Sequence, residues 1–285
     1  MAETPQKKVV RVEAPQASGD ATARDSGPVW TPEPAAKAKA TQLRWISWVA
    51  WILAIGVQAF AIFWVLKQVP INMWLLVGAI VVTGALSVTG SYFWKQANRL
   101  DPASKADTVR FFVQNQLGAI MTVVTFLPLI VLILLNKNMS GKQKALAAGI
   151  GIVIMLIATV LNISYQSPSQ EQYAEETNIV QQLTGVDNVF WVKGGSVFHV
   201  CAAVPDVNKE SQDGQIYEGT VAAAHAAGKE RLTKRWQSEA VKYCGFTQEQ
   251  VDAVDPARAA DAPADQAPAE EAPTEEAPAS EVPAE

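Results

Sequence analysis

The sequence predicts an all-α membrane bundle of four transmembrane helices, followed by a small α+β soluble domain, with a disordered tail at each end. Three observations predict it. Four long runs, residues 45–66, 68–94, 111–136 and 145–165, contain no charged side chain. Residues 166–250 are polar and mixed, with β-rich runs beside capped helices. Residues 1–43 and 251–285 are rich in proline, alanine and charge. Averaged over 285 residues, these parts give a net charge of −5 and a mean hydropathy of only +0.08, so whole-chain figures conceal the division.

Each apolar run reaches the ~20 residues that an α-helix needs to cross a ~30 Å hydrocarbon core. Residues 117–135 contain thirteen Leu, Ile, Val or Phe side chains. At roughly −0.3 to −0.6 kcal/mol each, they contribute about −4 to −8 kcal/mol toward insertion, and no Asp or Arg opposes them. Four such runs in succession exclude an ordinary soluble core, whose helices are apolar on one stripe only. Trp45, Trp48, Trp51, Trp64, Trp74 and Trp94 cluster near the expected span ends, where amphipathic rings prefer to lie. The expected spans are 45–66, 71–94, 111–136 and 145–165.

In residues 1–43, Pro5, Pro15, Pro28, Pro32 and Pro34 stand among few large apolar residues, which predicts disorder. No apolar run follows Met1, so span one is expected to act as its own insertion signal. Lys37, Lys39 and Arg44 precede span one, and Lys95, Arg99, Lys105 and Arg110 separate spans two and three. Lys67, Lys137, Lys142 and Lys144 lie on the opposite side. The excess of bases predicts that both termini face the cytoplasm from the inner or plasma membrane.

Polar residues inside the spans are mild. Ala79, Thr83, Ser87 and Ser91 repeat every four residues, a seam for close packing either within the bundle or in a homo-oligomer. Gln58 is expected to bond between helices, and Pro128 to bend span three. No ionisable residue occurs within a span, which argues against pumps and proton-coupled transporters. Asp101-Pro102 reads as a cap opening span three, with Lys105 and Arg110 facing anionic lipid headgroups. Ser140 with Gln143 forms a capping-box pattern before span four.

Beyond the spans, Ser167-Pro168 opens a polar helix expected to reach Leu183 and stop at Gly185. Residues 189–192 and 196–201 flank Gly194-Gly195, the pattern of a β-hairpin. Thr220 caps a short helix ending at Gly228, and a last helix is expected over 230–243, before Gly245. Phe190, Val192, Val197, Val200 and Trp236 are the expected core.

Every histidine and cysteine of the chain falls in this domain: His199, Cys201, His225 and Cys244. They are of the types that bind zinc tetrahedrally, which makes zinc the candidate cofactor. Their spacing matches no compact zinc-finger signature. Two alternatives stand beside metal: buried thiols with surface imidazoles, or a Cys201–Cys244 disulfide, which requires an oxidising compartment.

Residues 189–199 followed by 219–228, Gly-Thr-Val-Ala-Ala-Ala-His-Ala-Ala-Gly, resemble small modules related to the zinc-binding domain of the methylphosphotriester repair protein. Those modules continue into a cysteine pair; here the chain reads Lys-Glu-Arg-Leu-Thr-Lys-Arg-Trp. The resemblance therefore implies the fold without its metal. More broadly, the chain is similar to four-span membrane proteins of actinobacteria with the same tail domain, a group that implies no activity.

There is no nucleophile elbow, Walker sequence, dinucleotide fingerprint or HExxH helix. Lys229, Arg231, Lys234 and Arg235 beside Trp236 read as a solvated helix face, so no nucleic acid is expected. Residues 252–285 hold ten acidic side chains against one arginine, with Pro263, Pro268, Pro273, Pro278 and Pro283 five apart, the composition of an extended tail. The expected function is a non-enzymatic accessory or scaffold, with the lipid bilayer and proteins as partners. A metal- or thiol-dependent sensor is the alternative, and a small-solute transporter or channel is the third class.

Overall fold

The computed structural model describes residues 8–12, 30–208 and 213–254. The disorder expected of residues 1–7, 13–29 and 255–285 concerns residues outside these, whereas residues 34–43 of the same expected tail are helical. Four helices are long and apolar enough to cross a membrane: α1 (Pro34–Phe63), α2 (Met73–Leu100), α3 (Thr108–Leu135) and α4 (Gly141–Asn162). A 3₁₀ turn, Val65–Lys67, follows α1. The capping box before α4 is present, with Ser140 accepting from the Gln143 N–H and the Gln143 side chain reaching back. α3 runs unbroken through Pro128.

Asp101 departs from its expected role. It accepts a 2.7 Å bond from Arg44, whose other nitrogen donates to the Asp101 carbonyl, and Asp107 caps α3 instead. A guanidinium gripping both side chain and backbone makes two charge-assisted bonds, one of them between opposite full charges, where a cap would give a single bond to a neutral N–H. α1 is thereby tied to the α2–α3 connection.

α2 is the central helix, packing on α1, α3 and α4. Ala79, Thr83, Ser87 and Ser91 are all buried within this one chain, so the small-residue seam is spent on internal packing. The reason is close approach. A Cβ on Gly90 would lie 2.6 Å from the Trp51 indole nitrogen, and one on Gly118 2.7 Å from the Ser91 hydroxyl. The Thr122 hydroxyl donates to the Gly118 carbonyl, so it accepts from Asn162 at 2.7 Å and from Ser87 at 2.8 Å. Three helices thus meet at one oxygen. Gln58 is buried, but the expected bond between helices is not made by its amide nitrogen, which finds no partner among the described residues.

The carboxyl-terminal domain opens with α5 (Gln170–Thr184), capped by Ser169 and ended by left-handed Gly185. Strands β2 (Val189–Trp191) and β3 (Val197–Phe198) follow, then α6 (Pro205–Asn208), β4 (Gln215–Gly219), α7 (Val221–Ala226), β5 (Arg231–Leu232), α8 (Trp236–Tyr243) and α9 (Gln248–Val254). The hairpin expectation holds only in part. β2 and β3 touch through one antiparallel bridge, Phe190 to His199; β2 pairs with β4, and β3 pairs in parallel with β5. The helix expected over 230–243 begins as strand β5, and α9 extends the domain to Val254.

A further strand comes from the far end of the sequence. Residues expected to be part of a disordered tail form β1 (Lys8–Arg11), which pairs in parallel with β4 and completes a three-stranded sheet, β1-β4-β2. Residues 8–11 therefore belong to the same folded unit as β2 and β4. Its core is Val180, Val189, Trp191, Phe198, Val200, Val221, Leu232 and Trp236. The expected inward residues Phe190, Val192 and Val197 are only partly buried; Phe190 and Val192 pack on a second cluster formed by Val204, Val207 and Ile216. Along a strand, one residue's shift in parity exchanges the faces.

The domain is docked directly on the helical block. Gln170 donates from its backbone to the Ala103 carbonyl and from its side chain to Pro102. The Glu171 carboxylate accepts the Lys105 N–H at 2.9 Å and the Ser104 hydroxyl. The Lys95 ammonium caps the end of α4, donating to the carbonyls of Leu161 and Ile163, where the helix dipole favours a cation. α7 packs on α2.

Candidate functional site

The four candidate metal ligands fall into three separate settings. Cys201, just past β3, and Cys244, which ends α8, form a disulfide with an S–S distance of 2.02 Å and Cα atoms 5.9 Å apart. Sulfurs bonded to each other are not available as zinc thiolates. His199 and Cys201 lie past the two residues of β3, and both reach α8. There they meet different partners, Cys244 for the thiol and Glu239 for the imidazole.

His199 Nδ1 lies 2.8 Å from the Glu239 carboxylate, whose other oxygen accepts from the Thr233 hydroxyl. Both members of the pair are buried. His225 is farther in, 1% exposed on α7. That helix forms because Thr220 accepts the Ala223 N–H, and it stops at Gly228, whose φ of 95° suits a residue without Cβ. His225 Nδ1 faces the Lys229 carbonyl at 2.9 Å; a carbonyl only accepts, so this nitrogen carries a proton. Nε2 faces Glu176 at 2.6 Å, and the other Glu176 oxygen accepts from the Leu232 N–H and the Gln172 amide. The imidazole is stacked on Tyr173, with centroids 3.8 Å apart, and Phe198 meets it edge-on.

β3 and β5 are the frame that positions both pairs. Phe198 at the end of β3 and His199 just past it serve one pair each, and Leu232 at the end of β5 and Thr233 just past it do the same. The result is a polar spine through an apolar core, with each carboxylate oxygen of Glu176 and Glu239 within hydrogen-bond distance of a group of the domain itself.

Around this spine lie three further groups. The Tyr173 hydroxyl donates to the Arg99 carbonyl of α2 at 3.0 Å, carrying the spine into the helical block. Burial and the Glu176 carboxylate push its pKa well above the usual phenol value, against the attraction of Arg99. The Lys229 ammonium is buried and donates to the carbonyls of Val192, Lys193 and Gly195, which pins the β2–β3 turn. Burial, and then repulsion from Arg99, lower its pKa. Asp187 accepts the Val221 N–H at the start of α7, and burial raises its pKa against that bond.

Among the described residues, no three His, Cys, Asp or Glu side chains converge to hold a metal. Neither imidazole lines the shallow groove of ≈ 390 Å³ along α1, which is bordered by Thr41, Arg44, Trp45, Trp48 and Ile52. The arrangement is suited to holding a fold together. Sequence reasoning missed Glu176, Glu239 and Tyr173 and took Lys229 for part of a solvated helix face, whereas it is buried and precedes α8, yet one signal was readable. Tyr173, Glu176, Val180 and Leu183 follow the three- and four-residue spacing of a buried helical stripe, and Glu176 is the acid on it.

Fold and site together define a class: a block of four long apolar helices to which a small, disulfide-stapled α+β domain is fastened through an internal polar spine. No family model, curated protein or solved structure matches the chain.

Proposed function

We propose that this chain is a multi-pass protein of the cell membrane, a non-enzymatic accessory or scaffold that presents its soluble domain to protein partners. The observation that carries this reading is the seam at residues 99–105 and 169–173, where backbone and side-chain hydrogen bonds fix the domain to the helical block. A domain so fastened is a rigid platform rather than a tethered module. The bilayer is supported by the outward faces of the helices, where Ile52, Leu53, Val124, Leu127, Leu156 and Leu161 are each at least half exposed. A belt of that kind far exceeds the few hundred Å² of contiguous apolar surface that soluble monomers tolerate.

Residues 8–11 and the carboxyl-terminal domain share a sheet, which supports a reading in which both lie on one side of the bilayer. For that side we infer the oxidising compartment, the reverse of the orientation expected from the basic residues. The Cys201–Cys244 bond supports it, since structural disulfides persist where thiols are not kept reduced. Two of the bases that weighed toward a cytoplasmic side, Arg44 and Lys95, have packing duties in the structure and need no topological reason.

Purification from mild detergent after crosslinking in cells is expected to yield a stoichiometric protein partner. Recovery of the chain alone, together with solute flux after reconstitution, would remove the scaffold in favour of a transporter. For orientation, Cys201 and Cys244 are expected to resist maleimide until a reductant is added, and a periplasmic reporter after Phe246 to be active. Free thiols with an active cytoplasmic reporter at that position would reverse the assignment.

A further inference from the structure

The outer edge of β4 holds an occupant drawn from the opposite end of the chain. Val12 donates its N–H to the Glu218 carbonyl at 2.7 Å, and the register pairs Val10 with Tyr217 and Arg11 with Glu218. In a parallel ladder, alternate residues bond to the neighbouring strand. The Val12 bond therefore fixes Val10 as the other residue directed at β4, with the N–H groups of Val9 and Arg11 turned away. Two features shape the edge for a guest. A Cβ on Gly219 would lie 2.8 Å from the Val12 carbonyl, so the edge is bare where the strand approaches most closely. Glu218 presents a carboxylate to Arg11 at 3.3 Å while Val12 packs on the domain core.

The resident strand is lightly held. It is four residues long, Val9 is 47% exposed, and the Arg11 side chain is 74% exposed in its ion pair. Exposed pairs of that kind contribute little. We propose that this edge of β4 is a strand-docking site for an extended, parallel peptide with apolar residues at two alternate positions and a base between them. Residues 8–12 keep the site closed in the resting chain, and a partner protein's segment of the same pattern takes their place. Main-chain bonds supply the grip and the side-chain pattern supplies the choice, as in other strand additions. The inference rests on the scaffold reading only in naming a protein as the partner.

The test uses the full chain in lipid nanodiscs and a fluorescent peptide of sequence Lys-Lys-Val-Val-Arg-Val. Val10→Pro removes a ladder donor and vacates the edge; Val9→Pro removes an N–H that faces away. The peptide is expected to bind the Val10→Pro chain at least tenfold more tightly than the unaltered or Val9→Pro chain, because the tethered strand competes at high effective concentration. A peptide with Glu in place of its arginine is expected to bind at least tenfold more weakly. Deletion of residues 1–12 gives the same readout without a proline, and native near-ultraviolet circular dichroism reports that each variant is folded. Absence of peptide binding to both folded variants, or equal binding to the unaltered chain, overturns the proposal. Peptide binding without any co-purifying partner would leave the edge standing and remove the scaffold; a partner without peptide binding would do the opposite.

Discussion

His225 and Glu176 form a 2.6 Å contact with both side chains buried. Removing one member of such a pair strands the other in a medium of low polarity, which costs about 3–5 kcal/mol. His225→Ala and Glu176→Gln are therefore each expected to destabilise the domain, and a double-mutant cycle to show a coupling of about 1–3 kcal/mol. Thermal unfolding followed by tryptophan fluorescence measures both, and strictly additive effects would show that the two do not interact. Glu171 gives a pH-dependent counterpart at the seam. Its slight burial raises the pKa, but the backbone N–H groups of Lys105 and Ala106 and the Ser104 hydroxyl outweigh this and hold it at about 2, against an ordinary 4.5. A depressed carboxylate contributes stability above its unfolded pKa and loses it as pH falls through the folded one. Glu171→Gln is accordingly expected to speed amide exchange at Lys105 and Ala106 at neutral pH. The difference from the unaltered chain should shrink below pH 4.5 and vanish near 2. A difference that persisted at pH 2 would mean that charge is not what Glu171 contributes.

Among the elements, α2 decides how the helical block packs, and its neighbours are admitted by missing side chains. Gly118 of α3 lies over Ser91: an added Cβ would already touch the Ser91 backbone at 3.5 Å, so atoms beyond the Cβ must push the two helices apart. Gly118→Leu is expected to lower the melting temperature in detergent by several degrees, on the scale of the 1–3 kcal/mol that overpacking costs. Gly118→Ala should be milder and partly rescued by Ser91→Gly, since the nearest obstacle is the serine side chain. Rescue by Ser91→Leu in place of glycine would refute the steric account. The four-residue seam on this helix was plain in the sequence, and so were the caps at Ser140 and Thr220. Which partner the seam faced was not: spacing identifies a slim face, and only the placement of α3 and α4 shows that the same chain covers it.

At the scale of the molecule, one covalent bond and one returning strand close the soluble domain. The Cys201–Cys244 disulfide spans 43 residues, and a loop of that length stabilises by about 4 kcal/mol in the chain-entropy model. For a domain of this size, whose core alone is marginal, that is a large share of the total. Cys244→Ser is expected to cost about 2–4 kcal/mol, and a reductant to reproduce the loss in the unaltered chain without adding to it in the variant. Equal melting temperatures with and without reductant would show that the bond is not a structural staple. The helical block should be indifferent, because its contacts with the domain run through residues 99–105 and not through the region of Cys201.

Local composition determined the four apolar helices, the capped starts of α4 and α7 and the stop at Gly228, because span length, cap chemistry and a positive φ are properties of adjacent residues. The tertiary structure alone decided the pairing of β1 with β4, the parity that turns Val189 and Trp191 inward, the diversion of Asp101 to Arg44 and the separation of His199, Cys201, His225 and Cys244 into a disulfide and two carboxylate pairs. Those outcomes depend on which of several chemically adequate partners comes within bonding distance. Partners 40 to 207 residues apart are brought together by the packing of whole elements, and nothing in the neighbourhood of any one of them records the choice.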